Sequence, residues 1–207
     1  MADVADLVAP ETTTVLCMEM ERGVVGDLAM PGFRTAVAVR EAGLVERTGR
    51  VLHAARAAGV RVIHCTAAFR RDRAGSFVNT PALMDLLGNP EYLIAGTPSV
   101  DPVPELWEPD VDRVVERYHG FGPFVGTELD SFLKSLRAQT VVAVGVSLNR
   151  GIIGLTLGAV DNGYRVVIPR DGVLGYPTEY GDLVVEHTLA AVAWITTIDE
   201  LVACWTP

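Results

Sequence analysis

Residues 140–173, TVVAVGVSLNRGIIGLTLGAVDNGYRVVIPRDGV, carry the pattern that decides the fold. The run TVVAVGVS is apolar at consecutive positions, which marks a strand covered on both faces. A turn follows at Ser147–Asn149, a helix begins near Arg150, and YRVVIPRDGV is a second buried strand. A strand, a helix and a strand in this order form a parallel βαβ unit.

The same alternation extends outward in both directions. Upstream lie DRVVERY as a strand and TELDSFLKSLR as an amphipathic helix opened by Thr127. Nearer the N-terminus, residues 13–20 (TTVLCMEM) are a short buried strand followed by a loop at Arg22-Gly23 and Gly26-Asp27. A helix runs from about Arg40 to Ala58 with Gly59 placed to end it, and VRVIHCTA is the second strand. Residues 67–110 are rich in Gly and Pro and hold only short helices such as PALMDLL, so they form a long excursion over one face. A helix around Tyr180–Trp194 and a closing ITTIDELVACW finish the chain. The expected fold is α/β: a three-layer α-β-α sandwich with a mostly parallel, roughly six-stranded sheet of Rossmann-like topology. At 207 residues it is expected to form one domain, residues 1–207.

Charge and composition narrow the partners. A formal net charge of -9, with no basic cluster longer than Arg70-Arg71, argues against a polyanion, so no nucleic acid is expected. MADVADLVAPETTT is acidic and unlike a secretory leader, and Arg, Asp or Gly interrupts every apolar run. A soluble, cytoplasmic protein with no membrane association is expected. Cys17, Cys65 and Cys204 are odd in number and set in apolar segments, as reduced core thiols are. His53 and His187 fall on helix faces and His64 within a strand, and no two histidines have the short spacing of a metal pair. Neither metal nor cofactor is expected.

In a parallel sheet, ligands bind beyond the carboxyl ends of the strands. Glu19 ends the first strand, Arg117 ends the third, and Ser147, Asn149 and Gly151 form the turn after the fourth. The helix that follows would present free N–H groups around Gly151 and Ile152 to negative charge. Tyr118, His119 and Phe121 would join them if their loop folds inward, and Cys65 stands at the end of the second strand. Glu21, two residues beyond Glu19, would couple to it by like charge if the strand continued. A static Glu19–Arg117 ion pair with no chemistry is the competing account.

Four blocks carry a resemblance to a known family: VLCMEMERGVV, RVIHCTAAFRRD, RYHGFGPFVGTELDSFLKSL and GVSLNRGIIGLTLGAVDNGYRVVIPRDGV. In this order and spacing the chain resembles the isochorismatase-like hydrolase superfamily over nearly its whole length. The resemblance implies that Glu19 stands at the family's acid/base Asp, Arg117 near its Lys with Tyr118 as a competing match, and Gly151 at its nucleophilic Cys. Glu21 replaces the usual Gln and Leu148 the usual Thr. A non-proline cis peptide is implied at Val146-Ser147. Assembly as a dimer or tetramer is implied too, with Tyr176, Trp194 and Trp205 serving an interface or the core.

Gly151 has no side chain, so a thiol mechanism cannot run from that position. The cysteine-free branch that the chain resembles cleaves a vinyl ether by acid chemistry from the strand-one carboxyl. The leading expectation is a hydrolase acting on a small polar or carboxylate-bearing metabolite by noncovalent acid/base chemistry. Glu19 would be its proton donor or water-activating base and Arg117 its electrostatic partner, since guanidinium stays charged throughout the working range. Ser147, Asn149, Gly151, Ile152, Tyr118, His119, Phe121 and Cys65 would contact the substrate. Two alternatives stay open: a catalytically silent paralogue that binds a small molecule or serves a structural role, and an amidase with a relocated cysteine, Cys65.

Overall fold

A computed structural model describes residues 3–206. In chain order the regular elements are α1 (Val4–Leu7), β1 (Thr13–Met18), α2 (Arg34–Glu41), α3 (Leu44–Ala57), β2 (Arg61–Ala67) and α4 (Pro81–Leu87). They continue with β3 (Arg113–Arg117), α5 (Leu129–Ser135), β4 (Thr140–Gly145), α6 (Ile153–Asp161), β5 (Arg165–Pro169), α7 (Thr178–His187), β6 (Trp194–Thr196) and α8 (Ile198–Trp205). The six strands form one sheet in the order β3-β2-β1-β4-β5-β6, with every neighbouring pair parallel.

Successive side chains along a strand point to opposite faces. Val15, Cys17, Val142 and Val144 therefore pack with Leu44, Val51 and Leu52 of α3 and Ile198 and Leu201 of α8. Leu16, Met18, Val141 and Ala143 pack on the other face with Leu133 of α5, Leu155 of α6 and Val184 of α7. Both β1 and β4 are buried along their entire length, which is why they read as unbroken apolar runs.

Strand order reverses between β1 and β4. Connections from β1 build the sheet toward β3, and those from β4 build it toward β6. Beyond their carboxyl ends the two strands feed loops that part, and this leaves a crevice at the switch point. The crevice begins at Gly145, whose φ is 107° and where a Cβ would collide with the Met18 carbonyl oxygen. Only glycine lets β4 approach β1 this closely.

Several boundaries differ from those expected. The helix read from Arg40 to Ala58 is two helices, α2 and α3, separated at Ala42-Gly43 with Gly43 at φ 62°. The helix read to Trp194 ends at His187, and Trp194 opens the edge strand β6. Trp205 belongs to the core: it is 6% exposed and its Nε1 donates to Val8 O at 2.9 Å. Tyr176 is exposed, with the Arg34 guanidinium 5.5 Å from its ring centre.

Opposite the crevice, a buried polar cluster ties α3 to the starts of β2 and β3. Arg56 holds Asp112 through two hydrogen bonds of 3.0 and 2.6 Å, and His64 Nε2 lies 3.1 Å from Asp112 Oδ2. The Glu108 N–H also donates to Asp112, at 3.0 Å. Burial opposes the charge of Asp112, but the bonds from His64, Arg56 and Glu108 outweigh it and hold the carboxyl at about 2. An unfolded Asp titrates near 3.9, so this contribution is fully present above about pH 4 and is lost as pH falls toward 2. Asp112→Asn should cost about 3 kcal/mol in urea denaturation at pH 7, because Arg56 loses its buried counter-charge. The difference from wild type should shrink as pH drops below 4, and a difference unchanged by acid would contradict this assignment.

Candidate functional site

β1 stops at Met18, and Glu19 turns into the left-handed region at φ 51°. That conformation is uncommon for a residue with a Cβ and must be held by its surroundings. It is held at the backbone: the Glu19 N–H donates to Cys65 O at 2.9 Å. The turn breaks the strand's alternation and sends the Glu19 side chain into the crevice, where it is 14% exposed.

Arg117 ends β3 two strands away and is 4% exposed. Its Nη2 donates to Glu19 Oε1 and its Nε donates to Gly120 O at 3.2 Å, while its buried Nη1 has no partner among the described residues. Glu21 is fully buried, and both of its carboxyl oxygens accept from the Ala67 N–H, at 3.3 and 3.1 Å. Burial, and next the charge of Glu19, push the Glu21 carboxyl well above the usual range. Of the two acidic side chains, Glu19 faces the guanidinium and Glu21 lies buried behind it.

The turn after β4 closes the third side. Its Val146-Ser147 peptide is cis, at the position the resemblance implied. Val146 N–H donates to Met18 O at 2.9 Å, which fixes the turn against the end of β1. Leu148–Ile152 then form one wide helical turn before α6 begins. A Cβ built on Gly151 would stand 3.1 Å from Met18 Cε, 3.2 Å from Val146 O and 3.3 Å from Glu19 Oε2. Gly151 is therefore closely packed beside Glu19 Oε2, the oxygen that Arg117 does not hold.

These groups line a cavity of about 40 Å³. Glu19, Arg117, Ser147 and Arg150 supply its polar wall, and Phe33, Phe69, Leu83, Leu86, Tyr92 and Phe121 supply the apolar one. Phe121 is positioned by close backbone packing: a Cβ on Gly122 would come 3.0 Å from Gly154 O, so the loop after β3 lies directly on α6. The volume holds a few waters and no metabolite, so a substrate enters only if apolar side chains move. Phe33 also lines an open cleft of about 980 Å³ between the 25–33 segment, α2 and α3.

Glu19, Arg117, Ser147, Gly151 and Phe121 thus meet as the sequence suggested, and five other candidates do not. Tyr118 points away from the cavity, exposed, with its hydroxyl donating to Glu116 at 3.3 Å. Alternation along β3 sends residues 117 and 118 to opposite sides. His119 lies outside as well, packed on Phe77 with ring centres 4.8 Å apart. Asn149 is structural: it accepts from Ser147 Oγ at 3.3 Å and donates to Tyr176 O at 3.2 Å, joining two loops. Ile152 offers no free amide, because its N–H donates to Ser147 O at 3.1 Å within the wide turn. Cys65 is wholly buried in the core beside Met18 and Ile63, and burial pushes its thiol up to about 12. A nucleophile needs exposure and a lowered pKa, and Cys65 has neither. Its part in the site is its carbonyl, which holds Glu19.

Arg150, Tyr92, Phe33, Leu83 and Leu86 complete the walls and were not foreseen as site residues. Arg150 alone had a readable signal, a cation adjoining Gly151 in the turn. Burial, followed by the charges of Glu19 and Glu21, raises the Tyr92 hydroxyl pKa, so it stays a donor. Among the described residues, no three His, Cys, Asp or Glu side chains cluster as a metal site requires.

The family model for the isochorismatase domain matches residues 13–200. Among solved structures, the chain is similar to a cysteine hydrolase from Pseudomonas syringae pv. phaseolicola 1448A, with TM-score 0.82 and 21% identity over 96% of this chain and 94% of that one. It is similar to an isochorismatase family protein from Burkholderia thailandensis, with TM-score 0.76 and 21% identity over 94% and 96%. An N-carbamoylsarcosine amidase from Thermoplasma acidophilum gives TM-score 0.70 and 18% identity over 91% and 97%. At such identities these likenesses establish the fold. Because the family match runs from the first residue of β1 into α8, across every strand of the sheet, this chain belongs to the isochorismatase-like hydrolase family.

Proposed function

We propose that this protein is a hydrolase that works without a nucleophilic cysteine, acting on a small polar or carboxylate-bearing metabolite by noncovalent acid/base chemistry from Glu19. One observation supports the reading: Glu19 lines a small cavity with its Oε1 held by Arg117, which leaves Oε2 without a side-chain partner among the described residues. A water in that cavity would sit against a carboxylate oriented by an ion pair. Glu19 takes the proton of this water as its oxygen attacks, then returns the proton to the departing atom, so one water is consumed and the carboxylate is restored. Arg117 balances charge and cannot exchange the proton itself. The apolar wall excludes bulk water once the substrate is enclosed.

Turnover of a panel of isochorismate, nicotinamide, N-carbamoyl amino acids and small esters tests the reading. Glu19→Gln keeps an acceptor for Arg117 but no proton-exchanging oxygen, so kcat should fall roughly 10²–10⁴-fold. If wild type turns over nothing in the panel while a member raises its melting temperature, the protein is a binding paralogue and the enzyme reading fails.

Gly151→Cys tests the geometry independently. Its Cβ contacts are tight by a few tenths of an ångström, and the flexible end of Met18 can yield. The new thiol should be alkylated by iodoacetamide at least tenfold faster than Cys17 or Cys65, read by peptide mass spectrometry. A residue 151 thiol as inert as those two would place this position away from the cavity.

Glu21→Gln tests where the proton resides. The folded state keeps a proton on Glu21 that the unfolded chain releases above the ordinary carboxyl range. Wild-type stability therefore declines as pH rises from about 4, and the Gln variant lacks this term. The variant's melting temperature should exceed that of wild type by a margin that grows between pH 5 and pH 8, and a constant margin would contradict a protonated Glu21.

A further inference from the structure

We propose that Arg150 is the specificity residue of this cavity, anchoring an anionic group of the substrate, a carboxylate above all. This rests on the proposal that the cavity is the active site, and it narrows the substrate to an acid. Arg150 lines the cavity beside Glu19 and Arg117, and its guanidinium has neither an acidic partner nor a hydrogen-bond acceptor among the described residues. Its charge is felt by the Tyr92 hydroxyl across the cavity.

A second group asks for the same kind of ligand. The Nη1 of Arg117 is buried without a partner, although Arg117 is 4% exposed. A buried N–H donor left unmade is unfavourable, and a ligand oxygen or a water must satisfy it. The charges agree: Arg117 and Arg150 line the cavity against one acidic residue, Glu19. The protein as a whole carries a formal charge of -9, so this positive excess is local and opposes the overall field. Guanidinium pairs with carboxylate through two parallel hydrogen bonds that a neutral amide of the same shape cannot match. Arg150 and Glu19 line the same small cavity, so a carboxylate held at Arg150 lies close to the proposed acid/base group. The scissile bond is then expected within a few atoms of the acid group.

The test is binding without turnover. Acetate, pyruvate and benzoate are titrated calorimetrically against acetamide, pyruvamide and benzamide at pH 7.5, with wild type, Arg150→Met, Arg150→Lys and Glu19→Gln. Wild type should prefer each acid over its amide by roughly ten- to hundred-fold. Arg150→Met keeps the apolar stem and should abolish that preference, Arg150→Lys should retain part of it, and Glu19→Gln should strengthen acid binding by removing a like charge. Equal affinity for acids and amides in wild type, or a preference that survives in Arg150→Met, overturns the proposal. Because no arm measures turnover, a failure of the hydrolytic reading, seen as Glu19→Gln leaving kcat intact, is distinguishable from a failure here.

Discussion

The ion pair between Glu19 and Arg117 links the ends of two strands that do not touch. β2 lies between them, and both partners lean on it: the Glu19 N–H donates to Cys65 O, and Arg117 is paired with Ala67 in the sheet. A guanidinium buried to 4% exposure is unfavourable unless an anion stays against it, which makes Glu19 a structural requirement before it is anything else. The left-handed turn at Glu19, the end of β1 at Met18 and the opening of the crevice toward β4 all follow from keeping that carboxylate in place.

Around this pair the chain departs from its family's usual residues in a coordinated way. The family pattern that the sequence resembles carries a neutral Gln where Glu21 stands. Burial pushes the Glu21 carboxyl toward its neutral form, which is nearly the shape of Gln. The resemblance sets Arg117 near the family's Lys, and a guanidinium cannot transfer a proton. The resemblance also sets Gly151 at the family's Cys, packed beside the Glu19 carboxylate with no thiol. Together these changes fit a site in which water takes the place of sulfur.

The sheet was legible in the sequence because strands buried on both faces carry unbroken apolar runs, as VVAVG and VVIP are. Residues at strand ends were legible for the same reason, since Glu19, Arg117 and Ser147 interrupt such runs. Elements without a periodic requirement were not. α2 was absorbed into its neighbour because only the αL turn at Gly43 divides them. Tyr118 was plausible until pairing of β3 with β2 turned Arg117 inward, and His119 until the loop after β3 packed it on Phe77. Ile152 was misjudged because a wide helical turn uses its amide internally, and no propensity announces such a turn. The apolar wall comes from α4 and the loops at Phe33 and Tyr92, whose placement depends on tertiary packing alone.

The claim that water replaces the thiol is tested most directly by following oxygen. A single turnover of the fastest panel substrate in H₂¹⁸O, with excess enzyme and peptide mass spectrometry of the quenched mixture, shows where the label goes. Direct attack by a water held at Glu19 predicts one ¹⁸O in the released product and none in the Glu19 carboxyl. A label in Glu19, or a substrate adduct on Glu19 or Ser147, would contradict the account, because it would show that the protein still supplies a covalent nucleophile.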